Sequence, residues 1–476
     1  MTIRTPIVAR RLARGHGQTA IRALLLALAL GLGLAAGLLG TRALVLLAPV
    51  FLAFCLYRPA IGVVALVVAC AIDRFAIPFG PNLRLDELAA LALAAALAVR
   101  VTPAALRRPA LPLLLPLLAV LLTNVLATLV SDNPARGVSL DILTLDLVIL
   151  FLALARALTT PARLLGAVRL WLGVAVVEAA TGFLAFALYL RAHSAVPGVQ
   201  LSTDPPYGPM VYGTLYEANI FGSYMSAAFL IALALAAEGS ARRKGLLYLV
   251  CAASAVGLLL SGTRSAWGAT ALGAALLLAL LRFGLRAQRG TTGPRTGSTT
   301  RLVGGLAAVA VVVGVGLAVA PASVTGKLGA RAQGILNFGS GSGYGRTLLY
   351  REAIAEWQPH KLLGLGPGSF TYRLPGDPAT SPSWIPNLLL QTLHDTGALG
   401  LLALLWLYAA YYAGALRALR RAPPGEPRAA LAGLIAATTA LLISFQLTPG
   451  TPLGYSWALL ALGVAAARAV TETTRG

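Results

Sequence analysis

Apolar residues gather into fourteen stretches, and the connections between them alternate between arginine-rich and arginine-poor. Such a chain can bury that much apolar surface only in a bilayer, crossed by helices whose backbone groups are satisfied within each span. The stretches run near 20–40, 42–57, 59–73, 86–101, 110–130, 138–158, 164–189, 215–237, 245–262, 264–282, 302–320, 386–414, 429–447 and 452–469. Several fall short of the roughly 20 residues that a hydrocarbon core of about 30 Å requires, so tilted, paired or re-entrant segments are expected among them. The expected fold is an all-α polytopic transmembrane bundle of about 12–14 spans.

With the N-terminus on the cytoplasmic side, 26 of the 38 Lys and Arg fall in cytoplasmic connections and tails, above all in residues 1–22, 282–301 and 417–428. The other twelve are Arg42, Arg74, Arg84, Arg136, Arg191, Arg264, Lys327, Arg331, Arg346, Arg351, Lys361 and Arg373. The net charge of +22 is thus read as positive charge retained inside. It is not read as a nucleic-acid footprint, because no basic stripe with interleaved aromatics accompanies it. Both termini are expected to be cytoplasmic. Hydrophobic residues at 58%, charged residues at 11% and a mean hydropathy of +0.80 agree. A cleaved signal peptide is not expected: the apolar run after Arg22 is too long for a signal core, and another follows Arg42 at once. Cys55, Cys70 and Cys251 all fall inside apolar spans, where they read as small packing residues rather than disulfides or metal ligands.

Three regions follow: transmembrane helices over 1–320, an extracytoplasmic loop region over 321–385, and transmembrane helices over 386–476. Residues 284–301 and 417–428 read as linkers, with too few apolar residues for a core. On the other face, residues 191–214 carry His193, Asp204, Pro205, Pro206 and Pro209, and the longer loop has the length of a functional segment. Its stretch 346–358 has helical character, opened by Arg346 and ended by Pro359. Gly364-Leu365-Gly366-Pro367-Gly368 reads as a compact turn, since no Lys-Ser/Thr follows to make it a phosphate loop.

Arg264, in Ser261-Gly262-Thr263-Arg264-Ser265, fits two roles: a bidentate phosphate contact at the headgroup level, or an interfacial anchor that snorkels. Arg346 and Arg351 offer a second cationic contact for a diphosphate, or else a solvated helix face with Arg351 paired to acids such as Glu356. Glu217, in Tyr216-Glu217-Ala218-Asn219, sits at a span edge, where partial desolvation suits it to take a proton and where a helix cap is the plain alternative. Asn387, Gln391 and His394 form one stripe with Asp395 adjacent; an ionisable residue inside a span is a functional candidate by default. Asp146 and Glu178 lie deeper and read as buried hydrogen-bonding groups.

Taken together, Gly345-Arg346, Trp357, Pro359, Gly364-Leu365-Gly366-Pro367-Gly368-Ser369-Phe370, Asn387-Leu388-Leu389-Leu390-Gln391 and Gly397-Ala398-Leu399-Gly400 resemble the loop and following helix of the O-antigen ligase and Wzy-type polymerase superfamily. Leu83-Arg84-Leu85-Asp86, Gly213-Thr214-Leu215-Tyr216-Glu217-Ala218-Asn219 and Ser261-Gly262-Thr263-Arg264-Ser265 are similar to further signatures, in the family order over roughly residues 80 to 410. The resemblance implies a GT-C-like glycosyltransferase working on the extracytoplasmic face without metal or cofactor. Its donor would be a polyprenyl-diphosphate-linked glycan, its acceptor a hydroxyl of a glycan, lipid or protein, and its surroundings membrane lipids. Two positions depart from the pattern. Pro386-Asn387 stands where family ligases carry His-Asn, and Pro209-Met210-Val211-Tyr212 lacks the arginine that often precedes the Gly-Thr motif. Arg191 is the nearest replacement for that arginine. Glu217 is therefore ranked first as base, with His394 as an orienting or acceptor-binding residue, and Arg264, Arg346, Arg191 and Arg351 as diphosphate contacts. The rivals are a lipid-linked-oligosaccharide flippase or secondary transporter, and a non-catalytic scaffold of a glycan-export complex. The gathering of polar candidates toward one face favours an enzyme over a transporter with midplane sites.

Overall fold

A computed structural model describes residues 42–72, 76–77, 83–100, 113–192, 194, 196–202, 208–215, 217–238, 244–286, 304, 307, 314, 318, 322–333, 341–372, 381–382, 384–448, 450 and 453–473. The chain is an all-α polytopic bundle. Its helices are α1 Arg42–Tyr57, α2 Pro59–Ala69, α3 Leu85–Ala98, α4 Leu114–Leu129, α5 Pro134–Ala157, α6 Pro161–Ala192, α7 Ala218–Glu238, α8 Lys244–Leu260, α9 Arg264–Arg286, α10 Ala322–Gln333, α11 Gly341–Trp357, α12 Leu388–Arg421, α13 Glu426–Ser444 and α14 Gly454–Thr473. Three two-residue or three-residue ribbons interrupt it, β1–β2 (Ala76–Ile77 with Leu83–Arg84), β3–β4 (Val199–Leu201 with Pro209–Val211) and β5–β6 (Thr371–Tyr372 with Ser381–Pro382), all antiparallel. Among the described residues, seven helices (α5, α6, α7, α9, α12, α13 and α14) are long and apolar enough to cross a bilayer. Apolar segments of α1, α2, α4 and α8 are shorter.

The sequence reading misplaces several boundaries. The stretch expected at 59–73 is an 11-residue helix ending at Ala69, and α9 runs to Arg286, into the expected linker. The loop helix begins at Gly341, so Arg346 stands inside it rather than opening it. The expected span at 20–40, most of that at 302–320, and His193, Asp204 and the linker beyond 286 lie outside the described residues.

The centre is α7. From Ala218 to Ala237 every residue but Asn219 is buried, as a helix apolar on all sides must be. Packed against it are α6, α8, α9 and α13. The approach of α13 is close because a glycine faces it: a methyl at Gly433 would stand 2.9 Å from the Ala234 Cβ and 3.0 Å from the Ile231 Cα. Such small-residue contacts let helices pack where lipid gives no hydrophobic drive. Trp171 of α6 stacks on Tyr224 of α7 at 5.0 Å, and Tyr455 of α14 meets Tyr224 edge-on at 5.6 Å. At the end of α7, Arg428 of α13 donates to Glu238 at 2.7 Å, with both side chains buried.

At the opposite end, the entry of α3 caps itself. The Arg84 backbone N–H and Nε each donate to Glu87 at 2.9 Å, and Asp86 lies 3.5 Å from the same guanidinium. Helix α12 is broken where the sequence suggested a continuous span. Gly397 adopts φ 63 and ψ −166, a conformation open to glycine. The break frees the carbonyls of His394 and Asp395 and the N–H groups of Ala398 and Leu399, which would otherwise pair within the helix. The loop takes up all four: Leu365 N–H donates to His394 (3.0 Å), Gly366 N–H to Asp395 (2.9 Å), Ala398 N–H to Lys361 (2.9 Å) and Leu399 N–H to Leu362 (3.2 Å). The glycine-rich segment is thus the turn expected of it, with positive φ at Gly364, Gly366 and Gly368, and it is built into a membrane helix.

Candidate functional site

Four segments meet at the loop end of the bundle. The turn between α8 and α9 is held from within by the Ser261 hydroxyl, which donates to Leu258 at 2.6 Å and accepts from the Thr263 N–H at 3.2 Å. Thr263 Oγ1 donates across to the Ala218 carbonyl at 3.0 Å. Arg264, half-exposed, is therefore the first residue of α9 and sits against the entry of α7. From the long loop, α10 sends in the buried Arg331, whose Nη1 donates to the Gly262 carbonyl at 3.2 Å. Gly262 has φ +64, and a methyl there would stand 3.3 Å from that guanidinium.

Glu217 precedes α7, and its carbonyl accepts from Phe221 N–H at 3.0 Å, so it takes the cap position at the helix entry. Its carboxylate accepts from the Asn219 side chain. Burial pushes the carboxyl above its ordinary range, and the Asn219 hydrogen bond and the charge of Arg346 pull it part of the way back. The structure therefore brings Glu217 and Arg346 within electrostatic reach, although 129 positions separate them in the sequence.

One turn beyond Arg346, Tyr350 fastens α11 to the membrane helices. Its hydroxyl lies 2.8 Å from the Pro386 carbonyl and 3.2 Å from that of Gln446. Burial raises the Tyr350 phenol, against the opposing influence of Arg346 and Asn387. Asn387 caps α12 through Oδ1, accepting from Leu390 N–H at 2.9 Å, and Leu388 N–H donates to Phe445 at 2.7 Å. Ser444 completes the junction, with its hydroxyl 3.0 Å from Ser223 and 3.4 Å from Ser265. Pro386, at the position where family ligases carry histidine, is thus where the loop helix is tied down.

His394 belongs to a second group at the other end of α11. It has no exposed surface; Nδ1 lies 3.0 Å from Asp395 and Nε2 lies 2.9 Å from Glu356. The Arg351–Glu356 pairing considered from the sequence is not what forms, because Glu356 turns to His394 and Arg351 is exposed. Arg191 is likewise exposed, in the last turn of α6. Deeper in the bundle, Glu178 accepts from the Thr214 hydroxyl at 2.5 Å and its N–H at 3.1 Å, the buried hydrogen-bonding role read for it. A cavity of about 80 Å³ opens beside α12, with Asn124, Thr144, Gln391 and Asp395 among its polar walls and Trp384 and Trp457 among its aromatic ones.

The sequence reading missed Arg331 and Tyr350. Arg331 was counted only as a basic residue of the outer face; nothing in its spacing from Gly262 announces the contact. Tyr350 lies inside the recognised loop helix, between two arginines that were singled out. Among the described residues, no group of three or more His, Cys, Asp or Glu side chains could hold a metal ion. Cys55, Cys70 and Cys251 are buried and form no disulfide.

Residues 249–405 match the family model described as O-Antigen ligase. The matched segment begins in α8 and takes in Arg264, Arg331, Arg346, Tyr350, the glycine-rich turn and His394; Glu217 precedes it. No curated protein matches the chain.

Proposed function

Given an O-antigen ligase domain that supports assignment of the chain to the O-antigen ligase and Wzy-type superfamily, with glycosyl transfer as its general activity, we propose that the protein transfers or polymerises a polyprenyl-diphosphate-linked glycan on the extracytoplasmic face of the bacterial plasma membrane. The observation that carries this reading is that Arg346 of the loop helix lies within electrostatic reach of Glu217, at the entry of α7 to which the Arg264 turn is tied. A carboxylate and guanidinium groups at the membrane edge are the two kinds of group such a transfer needs.

In the reaction, the acceptor hydroxyl oxygen bonds to the anomeric carbon as the bond from that carbon to the diphosphate oxygen breaks. The hydroxyl proton passes to Glu217, whose raised pKa makes it a stronger base than a solvated carboxylate. The bonding pair leaves with the polyprenyl diphosphate, whose growing charge is met by Arg264 and Arg346, both outside the deepest apolar part of the bundle. Two guanidinium forks match phosphate oxygens in geometry as well as in charge. Arg191 and Arg351, being exposed, remain open to an incoming diphosphate as further contacts. His394 is assigned the orienting role, because its ring nitrogens are occupied by protein carboxylates.

The decisive experiment incubates purified protein with a polyprenyl-diphosphate glycan and a hydroxyl acceptor, and measures both glycan transfer and released lipid diphosphate. Release in step with transfer supports the reading. Movement of intact donor across a vesicle bilayer with no diphosphate released would establish the flippase instead, and neither activity would leave a scaffold.

A further inference from the structure

His394 is enclosed by groups that demand a proton. Both ring nitrogens face carboxylate oxygens, Asp395 at 3.0 Å and Glu356 at 2.9 Å, and the edge of the ring system is closed by Phe370, centroid to centroid at 5.3 Å. A neutral imidazole has one N–H and one lone pair. Two hydrogen bonds to two carboxylates therefore require the imidazolium. When that proton leaves, a lone pair is set against a carboxylate.

The anchoring of the two carboxylates decides which contact then opens. Asp395 accepts from Gln391 Nε2 at 2.6 Å and from Gly368 N–H at 3.3 Å, while Gln391 itself accepts from Ile385 N–H at 2.6 Å. Glu356 has no such support, and 31% of its side chain is exposed, so it can turn into water. The remaining charges nearby do not replace the missing proton. Glu352, one turn back on α11, has its carboxyl raised by partial burial and by Glu356 itself. His360 and Lys361 are exposed on the short 3-10 turn after α11, and the Arg136 side chain lies against Gly368.

We propose that the proton on His394 is a latch, by which the imidazolium joins Glu356 of the loop helix to Asp395 of α12 and so holds Arg346 beside Glu217. Arg346 and Glu356 are ten residues apart on one helix, about 15 Å at 1.5 Å per residue, and Tyr350 pins the helix between them, so an end released at Glu356 lets the helix pivot there and moves the Arg346 end with it. His394 is accordingly a positioning residue that touches no substrate. The latch is a property of the fold; its effect on transfer rests on the glycosyl-transfer reading above.

The test is hydrogen–deuterium exchange of residues 349–358 in the full-length purified protein across pH, corrected for intrinsic exchange and referred to α13. In the wild type, protection of this segment is expected to be lost as pH rises while α13 stays protected. In Glu356→Gln, the amide donates to the neutral Nε2 while Nδ1–H stays on Asp395, so both hydrogen bonds survive without the extra proton and protection persists at high pH. His394→Phe, which offers no donor to either carboxylate, should leave the segment unprotected at every pH with α13 intact. Transfer, measured in parallel, should fall on the alkaline side in the wild type and lose that fall in Glu356→Gln. Protection that is flat with pH in the wild type, or that falls along the same curve in Glu356→Gln, overturns the latch. The latch pattern in exchange without any transfer from polyprenyl-diphosphate glycan would uphold the latch and sink the functional reading alone.

Discussion

The Thr263 hydroxyl donates to the Ala218 carbonyl at 3.0 Å, joining two points 45 residues apart. Because the neighbours of these residues are Arg264 and Glu217, this bond ties the first turn of α9 to the entry of α7, where Glu217 stands. Arg346 arrives at the same place from the loop. The geometry leads to four expectations.

Arg264→Ala and Arg346→Ala should each abolish transfer while leaving the purified protein monodisperse and its melting temperature near the wild type. Lysine at either position should restore little, since a point charge does not reproduce the planar fork. Wild-type activity in Arg264→Ala would remove that residue from the site.

Glu217→Gln keeps the shape of the side chain and removes the base. Turnover should drop by about 10²–10⁴-fold, the usual contribution of a general base, with donor affinity little changed. Because burial raises the carboxyl, the acid limb of the wild-type pH–rate profile should lie above the ordinary carboxylate range, activity rising with pH as the proton leaves. If Glu217→Gln turns over normally while His394→Ala is dead, the roles assigned to the two residues must be exchanged.

Cysteine placed at position 290 should react with a membrane-impermeant reagent only after the cells are opened, and cysteines in 321–385 should react in intact cells. The expectation rests on the excess of Lys and Arg in the connections taken as cytoplasmic. Labelling of position 290 from outside would invert the map.

Arg428→Ala should destabilise the protein by about 3–5 kcal/mol, as removal of one partner leaves a buried charge uncompensated. Glu238, at 2.7 Å, is the group left behind. Replacing both residues with apolar ones of similar volume should recover most of the loss in a thermal melt; a double variant as unstable as the single one would show that the pair does more than neutralise itself.

The bundle was legible because its cause is local. Runs such as Ala218–Glu238 are apolar on every side, and a segment of that kind can only be buried or in lipid, whatever its neighbours. The motif residues were legible as well, but in pieces. Arg264, Glu217 and Arg346 could be named, and the Gly364 to Gly368 segment could be recognised as a turn from glycine content alone. Their convergence could not be read, because it depends on contacts such as Thr263 to Ala218 and Tyr350 to Pro386, made by residues that differ little from others around them. The role of His394 was hidden for the same reason: its neighbour Asp395 is visible in sequence, but Glu356 is 38 residues away.

That this chain is a helical membrane protein follows from hydropathy and charge alone, since these act on each segment separately and need no partner. The sequence also marks Gly364 to Gly368 as a turn, because glycine reaches a positive φ at little cost. Three features emerge only from packing: Gly397 breaks α12 so that the loop can complete its backbone, Arg331 supports the Arg264 turn, and both nitrogens of His394 are taken by carboxylates. These depend on groups far apart in sequence meeting within hydrogen-bonding distance, and that proximity is fixed by the packing of whole helices rather than by any local pattern.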